Sequence, residues 1–123
     1  MLNYYLRNIT VSWFANEDLP PDSVKEYLPL VESMKQMSIY HNDLEYLKLG
    51  FEYLLTHPDV DYEAFAGGRY PYESDEIRQI IEFAYLTIWS AHLPAKPNNS
   101  VQLISMPLED WWVNRASLNL VIA

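Results

Sequence analysis

The sequence predicts a mainly α fold, a compact bundle of three to four helices. It leaves room for a small antiparallel β element built from the N- and C-terminal segments. Two observations lead there. Apolar residues recur at steps of three and four in three separate stretches, each preceded by a residue that caps helices. Pro20-Pro21 precedes the first of those stretches, and Pro58 with Gly67-Gly68 separates the second from the third. The 123 residues suit one domain, 1–123, with a single core.

The first segment is the most ambiguous. Ile9, Val11 and Trp13 alternate with Asn8, Thr10 and Ser12, which is a strand pattern, while Leu2, Tyr5, Leu6, Ile9 and Trp13 also fall at helical spacing. The β-branched run Ile9-Thr10-Val11 favours a strand near residues 8–14. Leu19-Pro20-Pro21-Asp22 then breaks the chain. Ser23 stands three residues before Glu26, a capping box, and Val24, Tyr27, Leu28, Val31 and Met34 form the apolar stripe of a helix over 23–38. Pro29 should kink or divide it.

Asn42 and Glu45 repeat the capping signal for a helix over 42–56, with Leu44, Leu47, Phe51 and Leu54 on one buried face. Pro58 stops it, a short helix near 60–66 follows, and Gly67-Gly68 ends that. After the aromatic loop Arg69-Tyr70-Pro71-Tyr72-Glu73, Ser74 is expected to cap the strongest helix, over 74–92. Its buried side reads Ile77, Ile80, Ile81, Ala84, Ile88 and Ala91. Beyond Leu93-Pro94 and a polar connector, residues 101–105 and 118–122 resemble strands, and Pro107 to Ala116 one more helix. Together with 8–14, the two strands would place the termini side by side as a small sheet.

Half of the residues are apolar and one fifth are charged, a balance that favours a folded core over disorder. The formal net charge is −9. A field of that sign repels nucleic acid and anionic membrane surfaces and attracts basic partners. Cysteine is absent, so disulfides and thiolate metal sites are excluded. The start of the chain lacks a signal-peptide pattern, and the most apolar run, Ile77 to Trp89, is interrupted by Arg78, Gln79 and Glu82. The expected location is cytoplasmic, with no membrane contact.

Nothing in the chain assembles into catalytic chemistry. His57-Pro58-Asp59-Val60-Asp61 is the densest group of metal-ligand types, but Pro58 forbids a helical i, i+4 pair there. It reads better as a helix C-terminus with His57 near the last carbonyls. Gly67-Gly68 lacks the strand and Lys of a phosphate loop, and no Ser stands in a nucleophile elbow. The expectation is a protein that is not an enzyme and holds no metal and no cofactor.

Charge and aromatics coincide in one stretch. Between His57 and Glu76 lie Asp59, Asp61, Glu63, Glu73, Asp75 and Glu76 against a single Arg69, together with Tyr62, Phe65, Tyr70 and Tyr72. Phe65 is expected to anchor the loop to the core. The tyrosines offer rigid contact area with a polar tip, and the carboxylates suit Lys and Arg of a partner.

The middle of the chain, about residues 24–90, resembles the colicin and pyocin DNase immunity proteins. Tyr27-Leu28-Pro29-Leu30-Val31 is similar to the aromatic-Leu-x-Leu-Val of that family's first helix. Phe51-Glu52, with His57-Pro58 after four residues, is similar to the pair of motifs that closes its second helix. The resemblance implies a toxin gripped by second-helix side chains, here Leu44, Glu45, Lys48 and Glu52. It also implies a Tyr-Tyr pair in the short third helix; that pair is missing from this sequence, and Tyr62 with Phe65, or Tyr70 with Tyr72, are substitutes by character. The small, acidic, Tyr- and Trp-rich chain looks more broadly like the immunity proteins of bacterial toxin systems.

The expected function is therefore to bind and neutralise a basic bacterial toxin, a nuclease above all, by occlusion. The partner-binding residues would be Leu44, Glu45, Lys48, Glu52, Asp59, Asp61, Tyr62, Glu63, Tyr70 and Tyr72. The alternatives are an acidic mimic of nucleic acid that inhibits a DNA- or RNA-binding protein, and a non-catalytic adaptor.

Overall fold

A computed structural model describes residues 1–89, 92–94, 103–104, 106–114 and 121–122. The architecture is mainly helical, as expected. Five α-helices run in the order α1 (Leu2–Thr10), α2 (Leu28–Tyr40), α3 (Leu44–Thr56), α4 (Ser74–Ile88) and α5 (Leu108–Asn114), with 3₁₀ turns at Ser12–Ala15, Val24–Tyr27 and Tyr62–Phe65.

The first segment is a helix, not a strand. Leu2, Tyr5, Leu6 and Ile9 are all fully buried along one face of α1, so the three-four spacing prevails over the β preference of Ile9-Thr10-Val11. Burial of four large side chains at once outweighs propensities of a few tenths of a kcal/mol each. Thr10 is tolerated in the core because its hydroxyl donates to the Leu6 carbonyl. Residues 8–14 thus lie in α1 and the turn after it, and the expected antiparallel sheet is absent among the described residues. Instead Leu103–Ile104 (β1) pairs in parallel with Val121–Ile122 (β2) over two residues. Tyr4 of α1 and Trp112 of α5 pack edge to face, 5.8 Å apart.

The helix expected over 23–38 is divided at Pro29. Ser23 and Glu26 form the capping box of a 3₁₀ turn, and α2 begins immediately after it, with Pro29 in its first turn where a missing N–H costs nothing. Val31 and Met34 are buried as expected, while Leu28 is exposed. Between α2 and α3 the chain turns through Asn42 at φ 59°, a left-handed conformation that asparagine tolerates. Asn42 is therefore a turn residue and not the cap; Asp43 occupies the N-cap position of α3 but makes no cap hydrogen bond.

In α3, Leu47, Phe51 and Leu54 are buried, and Leu44 only partly. Gly50 belongs to the same face. A Cβ there would collide with the Leu2 side chain, so glycine is what lets α1 and α3 approach. The expected short third helix is the 3₁₀ turn Tyr62–Phe65, and Gly67 and Gly68, both at φ 77°, end it. The strongest predicted helix is α4, which buries Ile77, Ile80, Ile81, Ala84 and Tyr85. Its cap is Glu73, which forms a capping box with Glu76; Ser74 is the first helical residue. Trp89 closes the helix, short of the expected 92, and Ile88 is only partly buried. The expected helix over 107–116 is α5, with Trp111 fully buried. Ala91, the connector 95–100, Ser105, and residues 101–102 and 118–120 of the expected strands lie outside the described residues.

Among the described residues, α1 packs on α2, and α2 and α3 both pack on α4. The turn Tyr62–Phe65 bridges α1 and α4. No helix among the described residues is long and apolar enough to cross a membrane.

Candidate partner interface

The acidic and aromatic stretch 57–76 separates its two residue types by side. Tyr62 and Phe65 point inward from the 3₁₀ turn. Tyr62 is only 4% exposed, donates to the carbonyl of Leu54 and accepts from Arg78 Nη1 at 2.7 Å. Arg78 also donates to the Leu55 carbonyl at 3.1 Å and to Glu82 Oε1 at 3.0 Å. Tyr62 and Arg78 therefore satisfy the carbonyls that α3 leaves open at its end. Burial pushes the Tyr62 phenol up, against the nearby Arg78 cation.

Tyr72 is likewise 4% exposed, and its hydroxyl shares a 2.8 Å hydrogen bond with that of Tyr27. Tyr70 stacks on Phe14 at 5.3 Å and 11° and keeps part of its surface in solvent. Arg69 reaches the Phe14 carbonyl. Two of the three tyrosines expected to fill gaps in a partner are thus core residues, because their rings fill the space between α4 and the first 27 residues and their hydroxyls have acceptors within the fold. Tyr70 alone remains available.

All the carboxylates of this stretch but Glu76, which is half-buried and accepts from the Glu73 N–H, face outward. Asp59, Asp61, Glu63, Glu73 and Asp75 are exposed. Glu63 and Glu73 stand on the lining of an open cleft of about 570 Å³, with Arg69, Tyr70 and Gly68 between them. A second hollow of about 400 Å³, lined by Asn3, Arg7, Glu63 and Gly67, shares Glu63 and Gly68 with the first. A Cβ at Gly68 would meet only open space, whereas one at Gly67 would come within 2.6 Å of Val11. Two carboxylates beside a partly exposed tyrosine ring are groups that attract a cationic side chain, with Arg69 on the same lining offsetting one of the charges.

The second-helix set is divided. Glu45 is exposed, while Leu44 and Lys48 are half-buried. Glu52 is engaged within the fold: its Oε2 accepts from Tyr85 at 2.7 Å. Burial, then this hydrogen bond and the Glu52 charge, push the Tyr85 phenol up to about 12. His57 ends α3 as its spacing suggested, with Nδ1 2.7 Å from the Tyr53 carbonyl and its ring stacked on Tyr53 at 3.8 Å.

A different cluster escaped the sequence. Asp43 is fully buried, and its carboxylate accepts from Tyr5 Oη at 2.5 Å, Trp111 Nε1 at 3.2 Å and Trp112 Nε1 at 2.8 Å. Three donors from α1 and α5 thus converge on the corner between α2 and α3. Above it, His41 stacks on Trp112 at 4.7 Å, Tyr4 Oη and His41 Nε2 share a 3.3 Å hydrogen bond, and Tyr40 packs edge-on against His41 at 5.1 Å. Tyr40 is 80% exposed and Val113 81%. The one available signal was the tandem Trp111-Trp112, whose indole N–H groups must find acceptors once buried. Comparison of the chain with protein-family models, with curated proteins and with solved structures finds no match.

Proposed function

We propose that the protein is an immunity protein: it binds a basic bacterial toxin, a nuclease above all, and neutralises it by occlusion, with no catalytic step of its own. The observation that carries this reading is an open cleft lined by Glu63, Glu73, Arg69 and Tyr70, with the exposed carboxylates Asp59, Asp61 and Asp75 in the same stretch of chain. A surface that handles phosphates carries clustered Lys and Arg. Carboxylates presented at the rim of an open cleft pair with such side chains and accelerate encounter. The reading also draws on the resemblance of residues 24–90 to the DNase immunity family in the motifs around Tyr27 and His57. The cytoplasm is where such a protein would protect its own cell.

The test is binding to the toxin domain encoded beside this gene, measured across a range of salt concentrations. The expected result is tight binding whose association rate falls steeply with salt, and slower association for Glu63→Lys and Asp61→Lys. A neighbouring toxin that the protein neither binds nor inhibits, or the lack of any such gene, would refute the reading.

A further inference from the structure

We propose that the aromatic surface at the α2–α3 corner and α5 is the anchoring face for that same basic protein partner. The acidic rim of residues 59–75 then guides its approach. The inference rests on the proposed function, because it takes the partner to be a basic protein.

Four aromatic rings meet at this corner: Tyr4, Tyr40, His41 and Trp112. Their arrangement is fixed from beneath. Trp112 is tied to Asp43, and Asp43 is tied in turn by Tyr5 and Trp111. Trp112 and Tyr4 are only partly buried, and Tyr40 and Val113 are almost wholly in solvent. A group of tyrosine and tryptophan side chains, with Trp112 followed in sequence by the exposed Val113, has the composition of an interaction hot spot, and for Trp112, tied to Asp43, the ordering cost is met before a partner arrives. Exposed apolar side chains scattered singly need no such explanation, but Tyr4, His41 and Trp112 pack on one another, with Tyr40 edge-on against His41.

The charge around it selects the occupant. Glu109 and Asp110 are exposed and stand four and three residues before Val113 on α5, so all three share a side of the helix. Glu45, also exposed, precedes the Tyr46 that packs on Trp111 at 5.2 Å. An apolar centre with carboxylates at its edge fits a partner that presents an apolar side chain among Lys or Arg. A second copy of this chain would bring a charge of −9 against −9.

The surface is also joined to the acidic cleft. Tyr4 and Arg7 line a groove of about 510 Å³ along α1. Arg7 is shared with the hollow that contains Glu63, and Glu63 with the cleft that contains Tyr70 and Glu73. One partner laid along α1 would touch both ends.

The two ends then affect different rate constants. The experiment measures association and dissociation separately for the full chain and the toxin domain encoded beside its gene. Variants are Tyr40→Ala, Val113→Ala, Asp61→Lys and Glu63→Lys. Tyr40→Ala is expected to speed dissociation about 30-fold, the loss typical of a central aromatic anchor, with association changed less than about threefold. Val113→Ala should act in the same direction and less. Asp61→Lys and Glu63→Lys should slow association and leave dissociation nearly unchanged. Both Tyr40 and Val113 lie so far in solvent that their truncation leaves the thermal midpoint in place, which a melting curve verifies.

If the toxin binds and neither truncation speeds dissociation, the anchoring face is refuted while the proposed function stands. If the wild-type protein does not bind, both fall together. If the wild-type chain dimerises in sedimentation velocity and Tyr40→Ala abolishes the dimer, the occupant is a second copy and the inference is overturned.

Discussion

The loop region 57–76 and the α2–α3 corner with α5 are built from the same residue types in opposite arrangements. In the loop region the aromatics Tyr62, Phe65 and Tyr72 are inside and the carboxylates are outside. At the corner the carboxylate of Asp43 is inside, and Tyr40, with parts of Tyr4, His41 and Trp112, is outside. A stretch rich in both Tyr and Asp therefore does not announce which type meets a partner. What decides is where hydrogen-bond partners lie. A tyrosine hydroxyl that finds a backbone carbonyl, as Tyr62 does at Leu54, can be buried; a carboxylate that finds three donors can be buried too.

The contrast breaks hardest at Asp43. Asp43→Ala strands the donors of Tyr5, Trp111 and Trp112 in the core, and the expected loss is on the order of 3–5 kcal/mol, read from the urea midpoint. Asp43→Asn should cost less, because one amide oxygen still accepts. On the loop side the matching change is Tyr72→Phe. It leaves the Tyr27 hydroxyl buried without that partner, and about 1–2 kcal/mol should be lost in the same assay.

Alkaline pH sharpens the comparison. The buried phenols of Tyr27, Tyr62, Tyr72 and Tyr85 are all pushed up, Tyr85 to about 12. Between pH 10 and 12 the unfolded chain has released the Tyr85 proton while the folded chain keeps it. Stability should therefore be intact below pH 10 and fall as the pH rises through 12. Denaturant midpoints across that range give the slope, and Tyr85→Phe should flatten it. The smallest effect belongs to the exposed acids: Asp59→Asn or Asp61→Asn should leave stability within about 0.5 kcal/mol, although partner association slows. A larger loss on melting would mean that these carboxylates support the fold instead of facing a partner.

Local chemistry was legible in the sequence, and long-range pairing was not. Ser23 with Glu26, the break at Pro29, the end of α3 at His57 and the buried face of α4 all follow from spacing within a few residues. The glutamate cap of α4 was missed because Ser74 is the more usual capping type, although Glu73 and Glu76 stand at the same spacing. α1 was misread because its β-branched run competes with a helical stripe, and only the tertiary partners α2 and Gly50 settle the contest. The inward turn of Tyr62 depends on Arg78, sixteen residues on, and that of Tyr72 on Tyr27, forty-five residues back. No window of local sequence contains such a pair. The acidic cleft was half legible: Glu63 and Tyr70 stand on its lining with surface in solvent, whereas Tyr62 and Tyr72 are buried.

The bond from Asp43 to the tandem tryptophans has a consequence for the order of events during synthesis. The two indole donors lie 68 and 69 residues downstream of the carboxylate they serve. While α1 to α4 emerge from the ribosome, those two places at the α2–α3 corner stay open, and water can occupy them. The corner closes only when α5 is released and docks, a late, non-local step of the kind that slows folding. A chain stalled or clipped before Leu108 would lack both indole donors and leave the Asp43 carboxylate without them.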